Sequence, residues 1–374
     1  MNKIKKILFI SSNQHFTDIF LKDLIKLISK NFQISLITNI KKNSDYYENL
    51  DIHNVPIKRK LSPFSDLFVL FIILKKIFEI NPDRIISTNP KTIIFGIIIK
   101  MLKPKLFRIH IYTGFAWSNM SGFKKKFFIF LDKINVSFSD KVLFDSQSQI
   151  DLLRDYNFNK NNFNLINKGS IKGVDTKLFY KFDHELKKKI KIKYSISEKY
   201  KVLLYMGRMD EDKGIYELIE SFKNLKLLNT NIILLLVGED EIKIETYLNQ
   251  LHADIRNNII YLRHTINPQE ILNIADIFCL PSKREGFGNS VIESSACEIP
   301  VVGSDIFGLK NSLINELNGL TFKIGDVDDL TLKLHTLLRN ETLSKSLGKN
   351  GRKYVLENFE KDDVLNSFKN LIIN

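Results

Sequence analysis

The chain of 374 residues has 44% hydrophobic and 26% charged residues, a composition that can bury complete cores and predicts two domains at this length. It excludes disordered and collagen-like proteins. With 16 Gly and 8 Pro, the chain has too few turn-forming residues for an all-β protein, so an α/β fold is favoured. The two cysteines, Cys279 and Cys297, are too few for a disulfide scaffold and lack metal-ligand spacing. They predict a reducing compartment and two small core residues.

The first predicted element is a strand over Lys6–Ile10, because polar residues 11–13 follow it without the small-residue cleavage site of a signal peptide. The apolar stretch Leu67–Leu74 has eight residues and ends at two lysines. A bilayer-spanning helix needs roughly 20 apolar residues, so we expect no membrane-spanning segment.

Short apolar runs that alternate with helical periodicity predict two successive series of βα units. The first series contains the strands KILFIS, QISLIT, RIIST, FRIHIY and KVLFDS, which begin at residues 6, 33, 84, 107 and 141. The second contains KVLLYMG, NIILLLVG, IIYLRH, DIFCLPS and IPVVGSD, which begin at residues 201, 231, 259, 276 and 299. The two series predict two doubly wound parallel sheets, in domains 1–180 and 181–374. Ligands of such sheets bind beyond the carboxyl ends of the strands, so a cleft between the domains is the expected site.

The charge is distributed unevenly between the two predicted domains. Residues 1–180 carry 29 Lys and Arg against 14 Asp and Glu, whereas residues 181–374 carry 27 against 28. A coding bias toward lysine would affect both halves, so the excess predicts an anionic partner: nucleic acid, a membrane surface or a phosphorylated substrate.

Two segments of the basic half place cations beside large apolar side chains: KPKLFR at 103–108 and GFKKKFFIF at 122–130. This pattern suits an anionic membrane leaflet, with Lys124, Lys125 and Lys126 facing the lipid. The alternative is that the phenylalanines belong to the core and the lysines form a solvated face.

In the second half, KVLLYMGRMDEDKG places Arg208 at a strand end and Lys213 in the turn that follows. These two cations suit a diphosphate, because arginine can bind oxygens as a fork while lysine adds a mobile point charge. The alternative is an exposed arginine paired with Asp210 or Asp212.

The segment EGFGNSVIE places Glu285 in a loop and Glu293 inside the helix that follows. Backbone amides of residues 286–288 at the helix start would form an anion cradle. A carboxylate beneath a phosphate would repel it, so Glu293 is expected to hold ribose hydroxyls instead.

These motifs, followed in order by IPVVGSDIFG and NGLTFKIGDVDDL, resemble the C-terminal domain of the family 4 retaining glycosyltransferases of the GT-B fold. Upstream, RIHIYTGFAW, SGFKKKFFIFLDKI, KVLFDSQSQ and NKGSIKGVD resemble the subgroup that builds capsular polysaccharide, O-antigen and related bacterial surface glycans. The match spans nearly the whole chain. It implies two Rossmann-like domains facing each other across a cleft, and a last helix, at about 361–373, that packs back on the first domain.

The resemblance also implies the roles of individual residues. Catalysis would depend on Arg208, Lys213 and Glu285. Donor binding would involve Gly207, Arg263, Gly286, Phe287, Gly288, Asn289 and Glu293. The acceptor side would involve Thr113, Gly114 and Trp117.

Two segments depart from the family pattern. ISSNQHF stands where many relatives have a glycine-rich loop, and Thr113-Gly114 stands where relatives often have His-Gly. His110, inside a strand pattern, is predicted to be structural. The Asp326-Val327-Asp328 triplet resembles a metal-binding motif of another glycosyltransferase fold, but its position before an apolar-periodic segment predicts a helix start. No metal and no other cofactor are expected.

The predicted function is the retaining transfer of a hexose or N-acetylhexosamine from a UDP-sugar to a polyprenyl-diphosphate-linked saccharide. The enzyme would be cytoplasmic and associated peripherally with the anionic inner face of the cell membrane. A nucleotide-sugar epimerase or hydrolase of the same fold is the alternative. A nucleic-acid-binding protein is disfavoured, because the sequence has no helix-turn-helix, zinc or RNA-binding signature.

Overall fold

The computed structural model describes residues 5–40, 50–58, 62–88, 90–158, 161–228 and 231–374. The chain forms two compact units: the first unit comprises Met1–Gly173 and Asp362–Asn374, and the second unit comprises Val174–Lys361. The second unit begins a few residues before the predicted boundary at 180. The reason is that the Val174 amide donates to the Phe359 carbonyl at 2.8 Å, and the Lys361 amide donates to the Val174 carbonyl at 3.0 Å.

The described part of the first unit contains a seven-stranded sheet in which every neighbouring pair is parallel. Its strands are β1 (Lys6–Ile10), β2 (Gln33–Thr38), β3 (Asp51–Asn54), β4 (Arg84–Thr88), β5 (Phe107–Tyr112), β6 (Lys141–Phe144) and β7 (Phe163–Leu165), in the order β3-β2-β1-β4-β5-β6-β7. The helices between them are α1 (Gln14–Phe16), α2 (Lys22–Ile28), α3 (Pro63–Ile80), α4 (Pro90–Leu102), α5 (Gly122–Ser137) and α6 (Gln147–Asp155), with a π-helical turn at Thr17–Leu21.

The strand β1 shows why helices cover both faces of this sheet. Successive side chains of a strand point to opposite faces, so an entirely apolar strand must be covered twice. Ile7 and Phe9 pack in a core with α2, whereas Leu8 and Ile10 pack in a second core with α3 and α4. The helices α3 and α4 therefore lie on the same face of the sheet, and α5 packs beside α4.

In the described part of the second unit, six parallel strands have the order β10-β9-β8-β11-β12-β13. They are β8 (Lys201–Met206), β9 (Ile232–Val237), β10 (Ile259–Leu262), β11 (Ile277–Leu280), β12 (Val301–Ser304) and β13 (Gly319–Phe322). The helices are α7 (His184–Lys193), α8 (Ile215–Leu227), α9 (Ile244–Leu248), α10 (Ala253–Arg256), α11 (Pro268–Ile274), α12 (Asn289–Ala296), α13 (Val327–Arg339) and α14 (Glu341–Asn358). The strand order reverses between β8 and β11, which is where such sheets form a ligand crevice.

The last helix, α15 (Lys361–Ile373), leaves the second unit and packs in the first. Its apolar side, including Val364 and Phe368, lies in the core that contains β1. At its C-terminal end, the Lys141 Nζ donates to the Leu371 carbonyl at 2.9 Å and the Arg84 guanidinium donates to the Ile372 carbonyl. These two positive charges lie at the negative, C-terminal end of the helix dipole, and this attraction helps to anchor the end of α15.

The predicted fold class is confirmed, and each of the ten predicted strands corresponds to a strand of the structure. The prediction missed β3, β7 and β13, which have three or four residues each. The two cysteines are free and buried, as predicted. Among the described residues, no helix combines the length and the apolar character needed to cross a membrane.

Candidate active site

Two predicted catalytic residues of the second unit meet beyond the carboxyl ends of β8 and β11. The Lys213 Nζ lies 2.7 Å from Glu285 Oε1, and the two side chains are 15% and 17% exposed. Lys213 follows β8 and Glu285 follows β11, so their contact marks the point where the strand order reverses. The structure thus brings together two residues that are 72 positions apart in the sequence.

The turn after β8 is held so that Lys213 points toward the end of β11. Asp210 caps a 3₁₀ turn at Glu211–Lys213 by accepting a 2.8 Å hydrogen bond from the Asp212 amide. Gly214 then adopts a φ of 65°, and a Cβ at this position would lie 2.1 Å from the Pro281 carbonyl oxygen. Only glycine allows the chain to pass this close to the end of β11.

Glu285 is held by the loop after β11 as well as by Lys213. The Ser282 hydroxyl donates to Glu285 Oε1 at 2.7 Å, so this oxygen accepts from two donors. A Cβ on Gly308, in the loop after β12, would lie 2.1 Å from the Glu285 carbonyl oxygen. The loop after β12 therefore packs directly against the backbone of Glu285, so a larger residue at 308 would displace it.

Arg208 lies at the end of β8, directly after Gly207, whose amide donates to the Val237 carbonyl at 2.9 Å. Its guanidinium lies 3.1 Å from Asp210 and 3.0 Å from Glu241, and the side chain is 35% exposed. Partial burial by itself lowers the pKa of Arg208, but the hydrogen bond and charge of Glu241 and the charge of Asp210 outweigh it and raise the pKa. The predicted alternative of a pair with Asp210 thus occurs, and an anionic ligand would have to compete with both carboxylates.

The helix α12 begins at Asn289, and Gly288 precedes it with a φ of 84°. The loop is anchored from the interior, because the Phe287 ring packs on Phe359 and the Ser312 hydroxyl donates to the Phe287 carbonyl. The first N–H groups of a helix have no partner within the helix, so they can serve an anion. The anion cradle at residues 286–288 stays a prediction.

Two further residues predicted to bind the donor, Glu293 and Arg263, differ in burial. Glu293, in α12, is 8% exposed. Burial of the Cys297 thiol raises the pKa of that thiol to about 12, and the negative charge of Glu293 adds to the shift. Arg263 follows β10, is 72% exposed, and pairs with Glu245 at 2.5 Å. Arg263 is thus exposed but would have to leave Glu245 in order to move, whereas Glu293 is buried within α12.

Comparison with known proteins identifies the activity class. Residues 187–354 match the family described as glycosyl transferases group 1. The chain is 28% identical over 341 residues to the capsular polysaccharide biosynthesis glycosyltransferase CapM of Staphylococcus aureus, covering 90% of this chain and 89% of CapM. The chain is a glycosyltransferase of the GT-B fold. The resemblance predicted from the motifs is confirmed.

Two further similarities agree with this assignment. The glycosyltransferase is 28% identical over 306 residues to an N,N'-diacetylbacillosaminyl-diphospho-undecaprenol alpha-1,3-N-acetylgalactosaminyltransferase of Campylobacter jejuni, covering 80% of this chain and 79% of the relative. Its fold is similar to that of HepE of Anabaena, solved in complex with UDP and glucose, with a TM-score of 0.79 and 16% identity. That comparison covers 97% of this chain and 98% of HepE.

In the first unit, one predicted acceptor contact of the glycosyltransferase is corrected. The Trp117 side chain is 1% exposed, and its Nε1 donates to Asp132 at 2.6 Å. The ring therefore belongs to the core and offers no surface to an acceptor. Thr113 and Gly114 are half-buried after β5, and their acceptor role stays a prediction.

Two other predictions for the first unit can be compared with the structure. His110 is buried and its ring is hydrogen-bonded to the Ser87 hydroxyl at 2.8 Å, so its structural role is confirmed. Lys124 and Lys126 are exposed on α5. Lys125 is half-buried, with its Nζ 5.4 Å from the centre of the Tyr156 ring.

The predicted helix start at Asp326 is confirmed, because Asp326 caps α13 by accepting a 3.0 Å hydrogen bond from the Asp329 amide. In the part of the chain that the structure describes, no three His, Cys, Asp or Glu side chains cluster as metal ligands would. Transfer without a metal stays a prediction.

Sequence reasoning missed three residues of the site: Ser282, which donates to Glu285; Glu241, which binds Arg208; and Gly308, which borders Glu285. The position of Ser282 in the sequence could have indicated that it belongs to the site, since this serine directly follows Pro281, which ends a predicted strand. Glu241 and Gly308 lie in loops after other strands, and only strand order shows that they approach the site.

Proposed function

We propose that this glycosyltransferase moves a hexosyl or N-acetylhexosaminyl group from a UDP-sugar to a saccharide carried on a lipid diphosphate, with retention of the anomeric configuration. The reaction would serve the biosynthesis of a bacterial surface polysaccharide. The observation that carries the proposal is the contact between Lys213 and Glu285 at the switch point of the second sheet. There a cation for the leaving diphosphate and a carboxylate for the transferred sugar lie side by side.

The leaving group determines what the cations do. Breaking the bond between the anomeric carbon and the phosphate oxygen places negative charge on the departing diphosphate. Lys213, Arg208 and the first N–H groups of α12 would stabilise that charge, and preorganised groups of this kind contribute strongly to catalysis. Because both cations are paired with carboxylates in this structure, donor binding would exchange carboxylate oxygens for phosphate oxygens.

The resemblance to family 4 enzymes, in which the new bond forms on the face that the diphosphate leaves, supports the proposal of retention. The acceptor hydroxyl attacks the anomeric carbon and its proton passes to the leaving phosphate oxygen. Glu285, released from Lys213 as the phosphates bind, would then accept hydrogen bonds from hydroxyls of the transferred sugar. A hydrogen-bonding carboxylate at this place favours sugars with the matching hydroxyls.

The nucleotide would be uridine diphosphate. A structure of the same fold, HepE, holds UDP and glucose. Glu293, one helical turn inside α12, would bind the ribose hydroxyls, since a carboxylate accepts from two adjacent hydroxyl groups. Arg263 is exposed enough to turn toward the base once its pair with Glu245 opens.

The acceptor would be a saccharide on a polyprenyl diphosphate at the inner face of the cell membrane. The relative from Campylobacter jejuni is named for a diphospho-undecaprenol-linked substrate. The first unit contains 29 Lys and Arg against 15 Asp and Glu, whereas the second unit is neutral, with 27 of each. A basic unit would attract both the diphosphate of such a carrier and the anionic leaflet around it.

A screen of UDP- and GDP-sugars for thermal stabilisation of the purified chain tests the donor, because a ligand that binds only the folded state raises the melting temperature. The stabilising donor is then incubated with lipid-diphosphate-linked saccharides, and the anomeric configuration of the product is read by NMR. An inverted product contradicts retention. Conversion of the donor without an acceptor, into an epimer or a free sugar, contradicts transfer and supports the epimerase or hydrolase alternative.

A further inference from the structure

The helix α3 presents large apolar side chains to solvent. Four of them lie in its N-terminal half and are between 63% and 92% exposed: Phe64, Leu67, Phe68 and Phe71. Phe78 continues the same side of the helix and is 58% exposed. Residues three, four and seven positions apart share one side of a helix, and the row from Phe64 to Phe78 extends about 21 Å. The opposite side, which includes Val69 and Ile73, is buried in the core.

This row adjoins exposed apolar residues on two neighbouring helices. The Lys91 Nζ of α4 lies 2.7 Å from the Asp66 carboxylate of α3, which links the N-terminal ends of the two helices. Near the end of α4, Met101 and Leu102 are exposed. On α5, beside α4, Phe123, Phe127 and Phe130 are exposed and share the side opposite the buried Asp132. We call the exposed apolar residues of α3, α4 and α5 the α3–α5 face.

An exposed apolar area of this size marks a binding surface, and the cations around it indicate what binds. Lys75 is 70% exposed on the same side of α3 as Phe71. The Lys103 Nζ lies 4.6 Å from the centre of the Phe78 ring, and Lys124 and Lys126 flank the phenylalanines of α5. A second copy of this chain would bring the same positive charge to the contact, whereas anionic lipid headgroups would neutralise it.

We propose that the α3–α5 face inserts into the surface of an anionic bilayer. The phenylalanines would reach the boundary between headgroups and acyl chains, and the lysines would contact the headgroups. This surface would bring the enzyme to the lipid-linked acceptor of the proposed function. The inference itself rests on the exposed face alone, and its test requires no donor or acceptor.

Sedimentation with vesicles of phosphatidylglycerol or of phosphatidylcholine tests the proposal. The parent protein should pellet with the anionic vesicles, and part of this binding should persist at high salt, because apolar insertion is not screened. The double variant Phe68→Ser, Phe71→Ser should lose about tenfold in its vesicle partition coefficient for each ring removed. Lys124→Glu together with Lys126→Glu should weaken binding at low salt only. The control is Leu227→Ser with Ile266→Ser, which replaces two apolar residues of the second unit that are even more exposed than Phe68 and Phe71, at 81% and 84%.

A fluorescence experiment reports the depth of insertion independently of affinity. The chain has one tryptophan, Trp117, which is buried. In Phe71→Trp, the added indole should shift its emission to shorter wavelength on phosphatidylglycerol vesicles and should be quenched by brominated acyl chains. Leu227→Trp, in the second unit, should show neither change. This readout remains available if the double serine variant fails to fold.

Three results would overturn the proposal. The first is equal pelleting of the double serine variant and the parent protein. The second is an emission of Phe71→Trp that vesicles leave unchanged. The third is a dimer of the parent protein, seen by analytical ultracentrifugation, that the serine variant abolishes while neither protein binds vesicles. Transfer to a water-soluble acceptor separates the two proposals, since loss of membrane binding should leave that activity unchanged.

Discussion

The carboxylate of Asp132, on the buried side of α5, offers a quantitative test of the first unit. Asp132 is 5% exposed and accepts hydrogen bonds from the Tyr112 hydroxyl at 2.9 Å and from Trp117 Nε1 at 2.6 Å. Burial raises the pKa of Asp132 to about 6, although the hydrogen bonds from Trp117 and Tyr112 oppose the shift. The folded protein thus holds a proton that an unfolded aspartate, with a pKa of about 3.9, would release.

The pKa difference sets the magnitude and the sign of a change in stability. Between about pH 4 and pH 6 the folded state binds the extra proton, so the free energy of unfolding falls as the pH rises through this window. A difference of about two pKa units corresponds to about 3 kcal/mol. The contribution is complete below the unfolded pKa and is lost above the folded pKa.

Asp132→Asn removes this titration while keeping the size of the side chain. We expect the free energy of unfolding of the parent protein to fall by about 3 kcal/mol relative to the variant between pH 4 and pH 7. A constant offset between the two proteins will reflect the changed hydrogen bonds. Urea unfolding followed by tryptophan fluorescence is the suitable assay, because Trp117 is the only tryptophan and contacts Asp132 directly.

The control is Asp363→Asn, which neutralises an exposed carboxylate of the same unit. Its stability should follow the pH dependence of the parent protein. If the curves of Asp132→Asn and the parent are parallel from pH 4 to pH 7, then burial does not hold a proton on Asp132 in the folded protein.

Three further predictions concern the active site of the second unit. Lys213→Ala and Arg208→Ala should each lower kcat/KM by about 10² to 10³, as loss of a charge-stabilising donor does elsewhere; near-normal transfer would show that neither binds the diphosphate. Glu293→Gln should weaken UDP binding in titration calorimetry, whereas Glu285→Gln should mainly reduce transfer, and unchanged affinity of the first variant would refute the ribose assignment. Gly308→Ala places a methyl group 2.1 Å from the Glu285 carbonyl oxygen, so transfer should fall even where circular dichroism shows a folded protein.

Several features of the fold were predictable because they are local. The strands β8 and β9 have nearly continuous apolar sequences, without the polar residues at alternate positions that a half-exposed strand has. Such runs indicate strands covered on both faces. The edge strands β3 and β7 lack that signal, because their residues are exposed or half-buried. Their assignment as strands depends on pairing with a neighbour, which no local pattern reveals.

The candidate site was predictable residue by residue but not as an arrangement. Arg208, Lys213 and Glu285 each follow an apolar run that predicts a strand, and this places all three at one edge of a sheet. That Lys213 meets Glu285 depends on β8 lying next to β11, with β9 on its other side. Strand order results from packing of the whole unit, so the partner of each charged residue could not be read from its own motif.

The same distinction applies to the aromatic residues of the first unit. The sequence determines by itself that Trp117 follows a strand and that α3 is apolar on most of its circumference. An apolar helix of this kind normally predicts complete burial, yet the sheet covers only the side that contains Val69 and Ile73. Trp117, which was predicted to contact the acceptor, is buried, and its ring packs on Phe115 and Tyr156 while Asp132 on α5 accepts its N–H. Hydrophobicity is a property of each residue, but burial depends on which surfaces the tertiary structure brings into contact.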